Sequence, residues 1–183
     1  MLQHARVPIV GFAAWSGTGK TTLLRHLLPL LRARGLRVGA VKHAHHEFDI
    51  DHVGKDSYEL RKAGAERILI ASRKRWALMV ERELAREPVL DQVLKDLDQS
   101  ALDLLLVEGF KEESFPKIEL YRPVLGKPLL CHTDPDIVAV ASDSPLGFDV
   151  DVPVFDLNQP ASIAAFIWSN VIRPNAASMA CKD

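Results

Sequence analysis

Apolar positions along this chain fall into two rhythms, short unbroken runs and longer stretches with a helical repeat. Residues 7–13 form the first unbroken run and read as a buried strand. Leu23, Leu24, Leu27, Leu28, Leu30 and Leu31 then recur at helical spacing, with Arg25, His26, Arg32 and Arg34 on the opposite face. Gly35 stops that helix, and residues 36–41 supply a second short apolar strand. A strand, a helix and a strand in this order imply parallel pairing through a crossover.

Further along, residues 56–63 read as a helix closed by Gly64. Residues 67–72 and 75–80 are β-prone runs around a short basic turn, which predicts an antiparallel hairpin inserted into the α/β pattern. Residues 88–97 carry Val89, Leu90, Val93, Leu94 and Leu97 on one helical face. The run at 102–107 is so uniformly apolar after Asp103 that it predicts a central strand covered on both sides. Strands are expected at 117–121, 137–141 and 152–155, and a last helix from about 160 to 171. The pattern thus describes an α/β chain, with one domain over 1–172 and a flexible tail over 173–183.

Bulk properties narrow the class. A chain of 183 residues with 48% hydrophobic content can bury a full core. Its 23 basic and 24 acidic residues leave a formal charge of -1, so no global field favours nucleic acid or an anionic membrane. Cys131 and Cys181 form no metal-type spacing. With no apolar signal stretch and no window of the ~20 apolar residues a membrane helix needs, the expected location is the cytoplasm.

Between the first strand and the first helix lies Ala14-Trp15-Ser16-Gly17-Thr18-Gly19-Lys20-Thr21. Gly17 and Gly19 can take the positive φ values that turn several N–H groups toward one point at a helix N-terminus, which makes a nest for phosphate. Lys20 is expected to reach the β- and γ-phosphates of a nucleoside triphosphate, and the Thr21 hydroxyl to hold a bridging Mg2+. Thr22 follows toward the α-phosphate. The usual pattern opens on glycine; Ala14 is compatible if it keeps a negative φ.

A second element of such a site is an acidic residue at the end of a neighbouring strand. Glu108, followed by Gly109, fills that place and is expected to hold the metal or orient an attacking water. Asp103 sits at the wrong end of the same strand. The stretch 42–52 is dense in groups that bind phosphate or metal: Lys42 or His43 would face phosphate, and Asp49 and Asp51 would reach Mg2+ through water. Asp56 is expected to cap its helix. Lys55, Arg61, Lys62, Arg73, Lys74 and Arg75 form a locally basic neighbourhood.

Together these motifs resemble the molybdopterin-guanine dinucleotide biosynthesis protein B (MobB) family over nearly the whole chain. The resemblance rests on the phosphate loop with Thr21-Thr22, on Lys42-His43-Ala44-His45-His46 with Asp49 and Asp51, and on residues 54–65. It continues through Arg75-Trp76-Ala77-Leu78-Met79, Val107-Glu108-Gly109-Phe110-Lys111 and Val140-Ala141-Ser142-Asp143.

The resemblance implies a three-layer α/β fold of the P-loop NTPase type and a homodimer. It also implies GTP binding with at most weak Mg2+-dependent hydrolysis, and an accessory role beside a MobA-type nucleotidyltransferase and molybdopterin-handling proteins. The Asn-Lys-x-Asp signature that reads guanine elsewhere is missing; Asp143 is a candidate for that task, with Asp156 and Asn158 as rivals. A small-molecule kinase or another P-loop hydrolase is the alternative, ranked second because no residue stands out as a base toward a hydroxyl substrate. The hairpin around Trp76, Leu78 and Met79 suits either a dimer interface or a core.

Overall fold

The computed structural model describes residues 2–44, 48–82 and 86–174. The chain runs β1 (Ile9–Ala14), α1 (Lys20–Ala33), β2 (Val38–Lys42), α2 (Asp56–Lys62), β3 (Arg67–Ala71), β4 (Trp76–Val80), α3 (Leu90–Asp96), β5 (Leu104–Glu108), β6 (Lys117–Tyr121), β7 (Ile137–Ser142), β8 (Val154–Asp156) and α4 (Pro160–Ile167). Contacts divide it into two compact units, one from 1–43 with 89–183 and the other from 44–88. The hairpin read from the sequence as an insertion falls in the second unit. The expected tail lies, past Pro174, outside the described residues.

The first unit is built on a six-stranded sheet of order β2-β5-β1-β6-β7-β8 in which every pairing is parallel. Strict alternation along the strands sorts side chains onto two faces. Val10, Phe12, Leu104, Leu106, Ile118, Leu120, Ala139 and Ala141 meet α1 and α4 on one face, where the helices contribute Leu23, Leu27, Leu31, Ile163, Ala164 and Ile167. Ile9, Val41, Leu105 and Val107 meet Leu90 and Leu94 of α3 on the other. This is a three-layer α/β arrangement. β5, predicted to be central, pairs with β1 and β2, and Leu104 to Val107 are all buried.

Boundaries move where the backbone, not the apolar pattern, decides. Helix α3 begins at Leu90 because Val89 is extended, and it ends at Asp96 because Leu97 is extended as well. The last helix keeps regular form only to Ile167 and continues as a π-helical turn at Trp168–Ile172, a widening that sequence periodicity does not announce. β8 lies at Val154–Asp156, one to two residues later than expected.

In the second unit β3 and β4 pair antiparallel as predicted, with Ile68 opposite Met79 and Leu69 opposite Leu78. Ile68 and Met79 are buried, whereas Leu69, Trp76, Leu78 and Val80 are exposed. Core packing therefore explains Met79 but not Trp76 or Leu78. Lys55, not Asp56, occupies the N-cap position of α2; Asp56 lies in the first turn, where its charge suits the positive helix end without a capping bond.

Candidate functional site

The site forms where β1 delivers the chain to the C-terminal edge of the parallel sheet and α1 begins at once. Gly17 has φ 82° and Gly19 φ 101°, the left-handed values the loop requires of them. Phe110 is the only non-glycine with positive φ among the described residues, so Ala14 keeps the negative φ that makes it acceptable in place of glycine. Thr18 is buried and fastens the turn internally, its Oγ1 donating to the Trp15 carbonyl at 2.6 Å. Ser16 and Gly17 are exposed at the tip, as are Thr21 and Thr22 on the first turn of α1.

That first turn carries no acidic side chain, and its cap, Gly19, offers none. The positive end of a 14-residue helix is thus left uncompensated, which favours an anion there. Lys20 folds back so that Nζ donates to the Ala14 carbonyl at 3.2 Å. Partial burial pushes its pKa below the ordinary lysine value; the carboxylate of Glu108 opposes that shift, and the charges of Lys42 and Lys111 add to it. Three ammonium groups with one carboxylate give the site a positive balance suited to a polyphosphate.

Glu108 is placed by register. It lies opposite Phe12 of β1 on one side and Lys42 of β2 on the other, and its carbonyl accepts the His43 N–H at 2.8 Å. Past it the backbone turns sharply through Gly109 at φ 91° and Phe110 at φ 52°. A Cβ on Gly109 would stand 2.5 Å from the His43 Cβ, so the two loops meet too closely for any other residue. The Phe110 ring is buried and stacks on the His43 imidazole with centroids 4.8 Å apart, holding Phe110 in its unusual conformation. His43 is thereby positioned at the sheet edge by β2 and Phe110 together.

Asp143, the candidate for reading guanine, has other obligations. Its Oδ2 accepts from Arg122 at 2.5 Å and its Oδ1 from the Ser144 hydroxyl at 3.3 Å. Arg122 in turn donates through Nε to the Thr18 carbonyl of the phosphate loop at 2.8 Å. The rival Asp156 accepts from the Asn158 N–H and from the Gln159 side chain. Trp15 donates its indole N–H to the Pro128 carbonyl at 2.9 Å, with the ammonium groups of Lys111 and Lys127 near its ring at 5.7 and 5.8 Å. Sequence reasoning missed Arg122 and Lys127. The rule that located Glu108, a polar residue just past an apolar strand, also points to Arg122 after β6.

Asp49 and Asp51 belong to the second unit, where both carboxylates meet Arg61 at 2.7 Å and Glu81 lies 3.4 Å from the same guanidinium. Arg61 is therefore neutralised and leaves the basic neighbourhood expected around it. Among the described residues no group of three or more His, Cys, Asp or Glu side chains has metal-binding geometry. His45, His46 and Glu47 lie outside the described residues.

A mainly parallel sheet with helices on both faces, and a glycine loop leading from its β1 into an uncapped helix, define a P-loop α/β protein. The chain belongs to the MobB family: the family model described as molybdopterin guanine dinucleotide synthesis protein B matches residues 9–143. It is 51% identical over 168 residues to the Escherichia coli molybdopterin-guanine dinucleotide biosynthesis adapter protein, covering 91% of this chain and 95% of that one. The Haemophilus influenzae adapter protein is 42% identical, with 91% of each covered. Among solved structures, a molybdopterin-guanine biosynthesis protein B superposes with a TM-score of 0.69 at 28% identity, over 88% of this chain and 98% of that one. A Bacillus stearothermophilus MobB homologue gives 0.66 at 28% identity, over 88% and 95%.

Proposed function

We propose that this chain is a GTP-binding adaptor of molybdopterin guanine dinucleotide biosynthesis. In this reading it works in the cytoplasm beside a MobA-type nucleotidyltransferase, with at most slow Mg2+-dependent hydrolysis of its own. The observation that carries the nucleotide half is the uncompensated N-terminus of α1, ringed by Gly17, Gly19, Lys20, Lys42 and Lys111. The adaptor half is supported by the names of the relatives from E. coli and H. influenzae.

Backbone N–H groups of residues 17–20 would hold the β-phosphate, and Lys20 would leave the Ala14 carbonyl for the β- and γ-phosphates. The residues present fit a Mg2+ ion: the Thr21 hydroxyl stands on the exposed first turn, and Glu108 is close enough to Lys20 to shift its pKa. When bound, the ion supplies charge neutralisation between the phosphates. Asp49 is spoken for by Arg61, which favours Thr21 and Glu108 as the direct pair. Homodimerisation is supported by the exposed face of the hairpin, where Leu69, Trp76, Leu78 and Val80 present apolar surface.

The adaptor reading is preferred over a kinase because the described residues around the loop supply groups that hold phosphate, and Glu108, the carboxylate beside them, is assigned to the metal. Its test is equilibrium binding of Mg2+-GTP and Mg2+-ATP, then phosphate release with and without the transferase and molybdopterin. Lys20→Ala is expected to weaken GTP on the order of 10- to 100-fold, the worth of one charge-assisted contact. Glu108→Gln is expected to remove most of the Mg2+ dependence. Rapid phosphoryl transfer by the isolated protein to a small molecule would overturn the adaptor reading.

A further inference from the structure

β6 and β7 end level with one another: Tyr121 lies opposite Ser142 in their parallel register. The next residue on each strand is therefore brought face to face, and these are Arg122 and Asp143. β6 also flanks β1, with Leu120 opposite Ala14, so the same step places Arg122 against the phosphate loop. A continuous relay results. Ser144 Oγ donates to Asp143, Asp143 accepts from Arg122, and Arg122 Nε donates to the Thr18 carbonyl at 2.8 Å.

The consequence follows from peptide geometry. In a planar trans peptide the C=O and the N–H point in opposite directions. Holding the Thr18 oxygen outward fixes the N–H of Gly19 on the other side, toward the space where phosphate would lie. Gly19 sits at φ 101°, a conformation glycine shares with several alternatives, so an external hold on this peptide has something to select. The guanidinium is also packed on the loop: its Nη2 would lie 3.5 Å from a Cβ at Gly19. A planar fork can grip a carbonyl and a carboxylate at once.

We propose that Arg122, held by Asp143, is a positioning residue that sets the phosphate loop for its ligand, and that Asp143 serves this relay instead of reading the base. The proposal rests on the triphosphate-binding reading above. It assigns Asp143 a task independent of the nucleobase. Its failure is therefore distinguishable from the failure of that reading.

The experiment uses the full chain with Arg122→Ala, Arg122→Lys, Asp143→Asn and the Arg122→Ala/Asp143→Asn double variant. The probes are Mg2+ with inorganic tripolyphosphate, GTP or xanthosine triphosphate. Arg122→Ala and Asp143→Asn should each weaken all three ligands by a similar factor, on the order of tenfold for one lost charge-assisted bond. The preference for GTP over xanthosine triphosphate stays unchanged. The double variant should bind no more weakly than Arg122→Ala alone, because both substitutions break one relay. Added ethylguanidinium should restore tripolyphosphate binding to Arg122→Ala, a rescue that a general loss of stability would not show. Arg122→Lys keeps the charge without the fork and should fall between.

In the ligand-free protein, amide hydrogen exchange over residues 15–21 should speed up in Arg122→Ala and in Asp143→Asn. This arm stands even if the wild-type chain binds no triphosphate, a result that would overturn only the parent reading. Unchanged exchange together with unchanged tripolyphosphate affinity overturns the relay. So does an Asp143→Asn protein that holds tripolyphosphate normally but loses its preference for GTP, since Asp143 would then be reading the base.

Discussion

The corner at Glu108, Gly109 and Phe110 concentrates the strain of the site in two successive left-handed residues. For Phe110 the cost is offset by burial of its ring and by stacking on His43. For Gly109 there is no such latitude, because a methyl group there would overlap the His43 Cβ at 2.5 Å and still face a φ of 91°. Gly109→Ala is accordingly expected to destabilise the protein by on the order of 2 kcal/mol, the scale of a strained backbone residue. It should also displace Glu108 and so weaken Mg2+-dependent GTP binding, which chemical denaturation and calorimetry would measure separately. At this scale the sequence was partly legible. The glycine loop, Lys20 and Glu108 announce themselves because their chemistry is local. Arg122, Asp143 and Arg61 do not, because what each does depends on partners ten or more residues away that only the register of strands, or the folding of a loop, brings within reach.

Elements were legible where burial sets the pattern and not where a single backbone torsion does. β1, β5 and the hairpin follow from apolar runs, whereas the ends of α3 and the π-helical turn after α4 follow from φ and ψ values that side-chain type only weakly dictates. The two strands bearing Lys42 and Glu108 are also tied at their opposite ends. Asp103 accepts from the Arg37 backbone N–H at 2.8 Å and from its guanidinium at 3.0 and 2.8 Å, while its own N–H donates to the Arg37 carbonyl. The Arg37 side chain, by its hydrogen bonds, is the main cause that holds the Asp103 carboxyl down at about 2, against 3.8 for a free aspartate. The folded state thus has the lower pKa. Its stabilising contribution is fully present above about pH 4 and is lost as the pH falls toward 2. Asp103→Asn should therefore be less stable than the wild type at pH 6, with the gap closing on acidification to pH 2. A gap that stays constant in urea titrations across that range would show that the carboxylate charge is not what joins the strands.

For the whole molecule, the question is what the second unit adds to a nucleotide site housed in the first. In the β3–β4 hairpin Ile68 and Met79, directly opposite each other, are buried, while Leu69 and Leu78, also opposite, are exposed with Trp76 and Val80 on the same face. A hairpin that is apolar on both sides needs cover on both sides, and a lone two-stranded ribbon is marginal in water. Trp76, with 65% of its surface open, is the largest single contribution to that uncovered face. A second copy of the same chain offers an identical apolar face, and closed pairing of identical patches is the commonest route to a homodimer. Trp76→Glu replaces the largest apolar group of this face with a carboxylate, which pairing against a second apolar face would strip of water. For the proposed homodimer, the expected outcome is a shift to monomer in sedimentation velocity, with the circular dichroism spectrum retained because the Trp76 side chain is not part of the buried set. Binding of Mg2+-GTP by the resulting monomer should persist, since the phosphate loop, Lys20, Glu108 and Arg122 all belong to the first unit. A Trp76→Glu protein that sediments as a dimer would overturn the pairing of copies through this face.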